Sequence, residues 1–308
     1  MNSIRTKEGY APRRKRWDEA LGLSAIYVPD KEIRIQHYAT QLLRHIKASG
    51  AHPVNVTTWY HHFAFDFVGE LAFGQSFGLT DRPGTSTTTK ELAEVPKLVS
   101  QGVGHTTALT LTMISFELAR KPELQKKLRE EVLASGAVRP HPDGNMLSEK
   151  LDVTTIDKLP FLNGCINESL RLYPAVPTGG IKQTTDKSIM VGDKVIPPQT
   201  VIVAPRWSIG RMESSFERAD EFIPERWTTQ PHLVKDARGL NGFGIGRHQC
   251  PGKQLGTTEI RMVLAMVVSN FEWTFSPGEK NPTSVADEYL DSYTARAGAL
   301  NLVFSPLS

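Results

Sequence analysis

The chain has 308 residues, 39% of them apolar and 22% charged, and a net charge of +3 from 36 basic and 33 acidic side chains. That balance suits a globular fold with a sizeable core and excludes a disordered tail, and the slight basic excess is far from the dense positive field of a nucleic-acid binder. Only two cysteines are present, Cys165 and Cys250, which excludes a disulfide framework and a four-thiolate zinc site and points to a reducing, intracellular compartment.

The opening stretch "MNSIRTKEGYAPRRKRW" is charged and lacks the apolar segment of a secretory signal. The longest apolar candidate, "ALTLTMISFEL" at 108–118, is too short to span a bilayer, so the sequence predicts a soluble chain without a transmembrane anchor. Residues 31–47 place Ile35, Tyr38, Leu42, Leu43 and Ile46 at helical spacing, and 57–72 continues with an aromatic-rich helical pattern. "HH" at 61–62 lies on that second helix without a partner at ligand spacing and reads as packing. "TDRPGTSTTTKE" at 80–91 reads as a flexible connection. Beyond it, 97–120 predicts one long helix broken before Pro122, and "PELQKKLREEVLA" begins another with Pro at its first position. A further helix is expected over about 160–172, with Cys165 inert in its apolar setting. The period then changes: "SIMVGDKVIPPQTVIVAP" has β-branched runs separated by Gly192-Asp193, a hairpin turn. An apolar helix resumes at "KQLGTTEIRMVLAMVVSNF". The expected architecture is mainly α with a small β region, a single domain over 1–308 with a flexible junction near 80–97.

Between the hairpin and the last helix stands "GFGIGRHQCPG", residues 242–252, with four glycines, a cysteine and a proline. A dinucleotide loop should follow a buried strand, but the preceding "HLVKDARGLN" is polar and irregular. A helix starting just after Cys250 would aim unpaired N–H groups and the positive end of its dipole at the sulfur, favouring the thiolate. Such a thiolate is a strong soft ligand for iron or another transition metal. Flanking glycines would let the backbone approach a flat cofactor. By residue identity alone, a buried cysteine in a Gly-rich turn is the competing reading.

Phe243, Gly246, His248, Cys250 and Gly252 resemble the haem-binding signature F-x-x-G-x-R-x-C-x-G of the cytochrome P-450 family, with His248 in place of its arginine. "ESLR", Glu168 to Arg171, looks like the family's E-x-x-R motif, and "PERW" at 224–227 looks like the segment whose arginine, here Arg226, completes an ion-pair cluster. The resemblance implies a P-450 fold lacking its N-terminal part and the helices that roof the substrate pocket, with the short Thr-rich connection in their place. It implies heme b with Cys250 as iron ligand, and Phe243, Gly246 and His248 against the haem. "YAPRRKRWDEALG" is similar to the helix that crosses the propionates, which places Arg14, with Tyr10 four residues earlier, at one propionate; a solvated basic helix face is the alternative. Lys182 in "GGIKQ" stands where the family often has an arginine at the other. In "GVGHTT", 102–107, the family's acid position is His105, followed by Thr106: either an altered proton relay or a coincidence of alignment.

The implied function is a haem-thiolate monooxygenase acting on a small organic substrate, with electrons from NADPH through a partner reductase. Family members often sit on the endoplasmic reticulum membrane, although the anchor has no counterpart here. The alternative is a non-catalytic haem-binding remnant of that family.

Overall fold

The computed structural model describes residues 7–21, 29–81, 104–139, 150–278 and 284–307. Its elements follow in chain order: α1 (Lys7–Leu21), α2 (Pro29–Ser49), β1 (Val54–Asn55), α3 (Val56–Phe73), α4 (His105–Arg120), α5 (Pro122–Ala134), β2 (Val138–Arg139), β3 (Lys150–Leu151), α6 (Val153–Ile156) and α7 (Pro160–Leu172). After them come β4 (Lys182–Gln183), β5 (Ile189–Val191), β6 (Lys194–Ile196), β7 (Val201–Ile202), α8 (Arg206–Ile209), α9 (Lys253–Asn270), β8 (Phe271–Phe275), α10 (Ser284–Asp287), β9 (Leu290–Ser292), β10 (Thr294–Arg296) and β11 (Asn301–Pro306). The protein is mainly helical with small sheets, as its hydrophobic periodicity predicts.

Helices α4 and α9 form the centre. Every residue of α4 from Thr107 to Ala119 is buried, as is α9 from Thr257 to Asn270 apart from Arg261. A helix buried on all sides belongs inside a bundle, and α2, α5 and α7 surround α9 while α3 and α7 flank α4. Capping follows the sequence. Asn55 accepts from the Thr58 amide to start α3, and Gly74, at φ +74°, closes it in the left-handed conformation. The start of α7 is capped from outside: the Glu131 carboxylate of α5 accepts from the Phe161 and Leu162 amides at 2.7 and 2.8 Å.

The hairpin forms as its turn predicts, β5 pairing antiparallel with β6 around Gly192 at φ +61°. β7 does not extend that ladder but pairs with β4, Lys182 opposite Ile202. A three-stranded antiparallel sheet in the order β1, β11, β8 was not expected from the sequence. It is built on Phe271 and Trp273, which alternate inward along β8 against Phe304 and Leu302 of β11.

Two expected boundaries move. The helix predicted from 97 has His105 as its first described helical residue, with Gly104 as its N-cap, and 97–103 lie outside the described residues. The flexible connection does not begin at Thr80: that residue is buried, and its amide and hydroxyl both donate to the Asp66 carboxylate at 2.7 Å. Residues 82–97 of that expected junction lie outside the described residues. Among the described residues, no helix is long and apolar enough to cross a membrane.

Candidate active site

The cysteine loop, 242–252, is built on a buried ion cluster. Glu168 and Arg171 lie three apart on α7, so both face one way, and both side chains are fully buried. Arg171 donates to Glu168 through Nε at 2.9 Å and Nη2 at 2.6 Å. Arg226 adds Nε to Glu168 Oε1 at 2.9 Å, and Trp227 donates its indole N–H to Oε2 at 2.8 Å. The Ile223 amide is a further donor at 2.9 Å. The guanidinium groups use their remaining N–H bonds on backbone oxygens: Arg171 on Gly210, Ala219 and Glu221, Arg226 on Glu217, Arg218 and Leu233. Buried charge is tolerated when every lone pair and proton is matched in this way.

This cluster fixes the segment leading to the loop, and other elements then hold the loop itself. Gly242 lies against Leu170 of α7, 3.1 Å from where its Cβ would stand, and its carbonyl accepts from Arg206 Nη1 of α8 at 3.2 Å. Gly244 and Gly246, at φ +76° and +73°, turn the chain through conformations that favour glycine. The Cys250 amide closes the loop on the Phe243 carbonyl at 2.9 Å. From α1, the Tyr10 hydroxyl donates to the Arg247 carbonyl at 2.8 Å, and Arg14 Nη1 donates to the Gln249 carbonyl. Arg14 Nε is held by Asp18 at 2.7 Å. Arg14 thus binds the loop backbone directly.

Cys250 is exposed and Cys165 is buried. The expected favouring of the thiolate is present only in part. The Gly252 amide, Arg14 and Arg206 all pull the Cys250 thiol down, but the surrounding protein displaces enough water to push it up overall. The following helix begins at Lys253, where its apolar pattern predicts, with Gly252 as N-cap. Burial first, and then the nearby Glu225, Glu131 and Glu168 carboxylates, carry the Cys165 thiol well above the usual range, consistent with an inert core residue.

His248 does not supply the positive charge that its place in the signature suggests. Its ring meets Tyr10 edge-on at 4.5 Å, and burial together with Lys182, Arg247 and Arg14 lowers its pKa, which disfavours the charged imidazolium. The cations of this surface are Arg14, Arg247 and Lys182, the last exposed on β4.

The structure therefore brings Arg14, Phe243, Gly246, His248 and Cys250 together, with Lys182 near enough to act on His248. His105 and Thr106 stand apart, on the first turn of α4. The His105 ring packs edge-on against His61 at 4.9 Å and Phe65 at 5.1 Å, both of α3. A link to the helix that leaves the loop runs through the next residue, Thr107, whose Oγ1 is 3.6 Å from where a Cβ on Gly256 would stand. His61 bonds the Thr57 carbonyl through Nδ1 and His62 is buried, so the histidine pair is packing.

Sequence reasoning missed Arg206, Trp227 and Glu259. Arg206 carried a signal, a lone cation after the apolar run "VIVAP". Glu259 carried one too: it shares the apolar face of α9 with Leu255 and Val263.

This fold and loop place the chain in a known class: it belongs to the cytochrome P450 family, whose profile matches residues 91–292. It is similar to Cytochrome P450 monooxygenase FCK2 of Fusarium pseudograminearum, 28% identical over an alignment that takes in 99% of this chain and 67% of that protein. Cytochrome P450 monooxygenase nodW of Hypoxylon pulicicidum is 26% identical over 99% of this chain and 68% of its own length. Tryprostatin B 6-hydroxylase of Aspergillus fumigatus is 26% identical over 91% and 62%. The chain spans about two thirds of the length of these relatives.

Proposed function

We propose that this chain is a haem-thiolate monooxygenase that acts on a small organic substrate with electrons from NADPH delivered by a partner reductase. The observation that carries the reading is the exposed Cys250 thiol at the centre of a loop held by α1, α7 and α8. The donor set fits haem. One soft sulfur faces outward with the Gly252 N–H bonded to it, as a thiolate that would hold iron needs. Gly246 has open space where a Cβ would stand, and Ile245 and Ile181, 72% and 70% exposed, offer apolar surface that a flat macrocycle would cover. Arg14, Arg247 and Lys182 supply positive charge for carboxylates.

In this reading Cys250 holds the iron, Phe243 and Gly246 shape the loop, and Lys182 and Arg14 face the propionates. When bound, such a group supplies reductive activation of dioxygen, one atom entering the substrate and the other leaving as water. His105 and Thr106 are the candidates for holding and moving a proton there. Thr106 is partly exposed, and its carbonyl accepts from Thr110 at 2.9 Å.

A second reading, a haem-binding protein without turnover, is favoured by His105, whose ring packs against α3 where the family has an acid. One experiment separates them from each other and from failure. The chain supplied with haem, reduced and exposed to carbon monoxide, is expected to give the red-shifted Soret band of a thiolate-ligated ferrous complex, absent in Cys250→Ser. No band in either protein sinks both readings; a band without substrate oxidation by the reductase-coupled protein selects the second.

A further inference from the structure

Tyr173, the C-cap of α7, Trp207 of α8 and Tyr289, between α10 and β9, form a cluster in which each ring neighbours the other two. The ring centroids are 6.4 Å apart for Tyr173 and Trp207, 6.2 Å for Tyr173 and Tyr289, and 4.9 Å for Trp207 and Tyr289. Tyr173 is 7% exposed, whereas Trp207 and Tyr289 are only partly covered and line a cleft of about 270 Å³ with Pro177, Thr178, Pro205 and Asp291. The cluster thus runs from the interior to open surface.

The three rings differ in what surrounds them. The Tyr173 hydroxyl donates to Glu117 Oε1 of α4 at 2.6 Å, and Arg120 pairs with that carboxylate at 3.3 Å. A carboxylate can take a proton. The Tyr289 hydroxyl instead donates to the Pro174 carbonyl at 2.5 Å, a backbone oxygen that does not hold one. Trp207 lies under the Arg211 guanidinium, whose central carbon is 3.5 Å from the ring centroid, so positive charge on that indole is disfavoured. Removing an electron from a phenol makes its proton strongly acidic, and a proton that stayed would leave a buried cation. Of the three rings, Tyr173 alone has a base in place to receive it.

We propose that Tyr173 is a one-electron redox site, charged and discharged through Trp207 and Tyr289 by small molecules in the cleft. In the forward step the Tyr173 ring gives one electron to an oxidant by way of the Trp207 or Tyr289 ring, its O–H bond breaks, and the proton passes to Glu117. A neutral tyrosyl radical and a protonated carboxyl remain, with the oxidant reduced by one electron. A one-electron reductant in the cleft reverses the step, and the proton returns from Glu117 to the phenol oxygen. The oxidant is a small aromatic species, neutral or cationic, because prolines and rings line the cleft and Asp291, bonded by the Thr178 amide at 3.1 Å, sets negative charge at its wall. An aryloxyl radical is the simplest of that class, and it would leave as the phenol with a proton drawn from water. This site goes beyond the monooxygenase reading and does not rest on it.

The test is flash oxidation of the full chain by photogenerated tris(bipyridine)ruthenium(III), a cationic aromatic oxidant, with the protein radical followed by electron paramagnetic resonance. The native chain is expected to give a neutral tyrosyl signal that persists after those of exposed tyrosines have decayed. That persistent signal is lost in Tyr173→Phe and kept in Tyr289→Phe, and it is lost when Trp207→Leu and Tyr289→Leu are combined, since both intermediate rings are then gone. Glu117→Gln keeps the size of the side chain but removes the proton acceptor, so the persistent signal is lost there too. The proposal is overturned if no persistent tyrosyl signal forms in the native chain, or if it survives in Tyr173→Phe or Glu117→Gln. Where a variant does not fold, the native chain in deuterated water decides: slower formation of the radical supports a proton leaving with the electron, and an unchanged rate overturns it. None of these readouts needs haem, so their failure is distinct from absence of the carbon monoxide band.

Discussion

Tyr10 and Arg247 are joined across 237 positions of chain by a single hydrogen bond, the phenol of α1 donating to the loop carbonyl at 2.8 Å. With Arg14 on the Gln249 carbonyl, this bond makes α1 a strap over Arg247 and Gln249, three residues and one residue before Cys250. Tyr10→Phe removes the donor and is expected to cost about 1 kcal/mol. The local effect is larger than the global one: amide hydrogen exchange over 247–250 should speed up while α7 is unchanged. Equal exchange in both proteins would show that the loop is held without α1.

The Glu259 carboxyl makes stability depend on pH in a stated direction. Its folded pKa is raised from 4.5 to about 8, so between those values the folded chain keeps a proton that the unfolded chain has released. Its contribution is fully present below about pH 4.5 and is lost as pH rises toward 8, at no more than about 1.4 kcal/mol per unit. Urea unfolding of the native chain and of Glu259→Gln over that range measures it. The difference between the two should shrink with rising pH, and a constant difference would contradict the burial argument.

Glu168 neutralises two buried guanidinium groups at once. Glu168→Ala leaves Arg171 and Arg226 uncompensated in a fully buried site and is expected to destabilise by about 3–5 kcal/mol or prevent folding. Arg218→Ala provides the contrast. It breaks the Arg218–Glu221 pair, both partners about half exposed, which is expected to cost about 0–1 kcal/mol. Denaturant midpoints of the two variants should differ accordingly.

The two cysteines should separate cleanly with a thiol reagent. Cys250 is exposed, whereas Cys165 is 0% exposed with its thiol held well above the usual range. Native chain is expected to label at Cys250 alone, faster as pH rises because that thiol too is pushed up, and Cys165 only after unfolding. Labelling of Cys165 at the same rate in native buffer would place that helix outside the core.

How far the sequence could be read differed by element, and for physical reasons. Helices with long one-sided apolar patterns were legible almost to the residue: α7 runs Pro160–Leu172 where about 160–172 is expected, and α5 begins at the Pro122 that predicts it. Cys250 and the Glu168 cluster were legible because a resemblance fixed spacings that local propensity cannot. The sheet of β1, β8 and β11 was not legible, because β1 has only two residues and pairs with β11 across more than two hundred residues of chain. The protonation of His248 escaped for a different reason. Burial and three cations, Lys182, Arg247 and Arg14, lower its pKa, and all of them act on it only in the folded chain.

The segment from Gly210 to Leu233 contains only short 3-10 turns and isolated bridges, so most of its backbone oxygens have no ladder of their own. Arg171 and Arg226 supply donors to six of them. Two side chains thus act in place of a neighbouring strand, and the path of an irregular stretch is written by their planar forks. Each arginine serves three of the six, so replacing either by lysine would keep a positive charge beside Glu168 yet loosen up to half of that template, and part of the chain between α8 and the cysteine loop would lose its course while its ion pair survived.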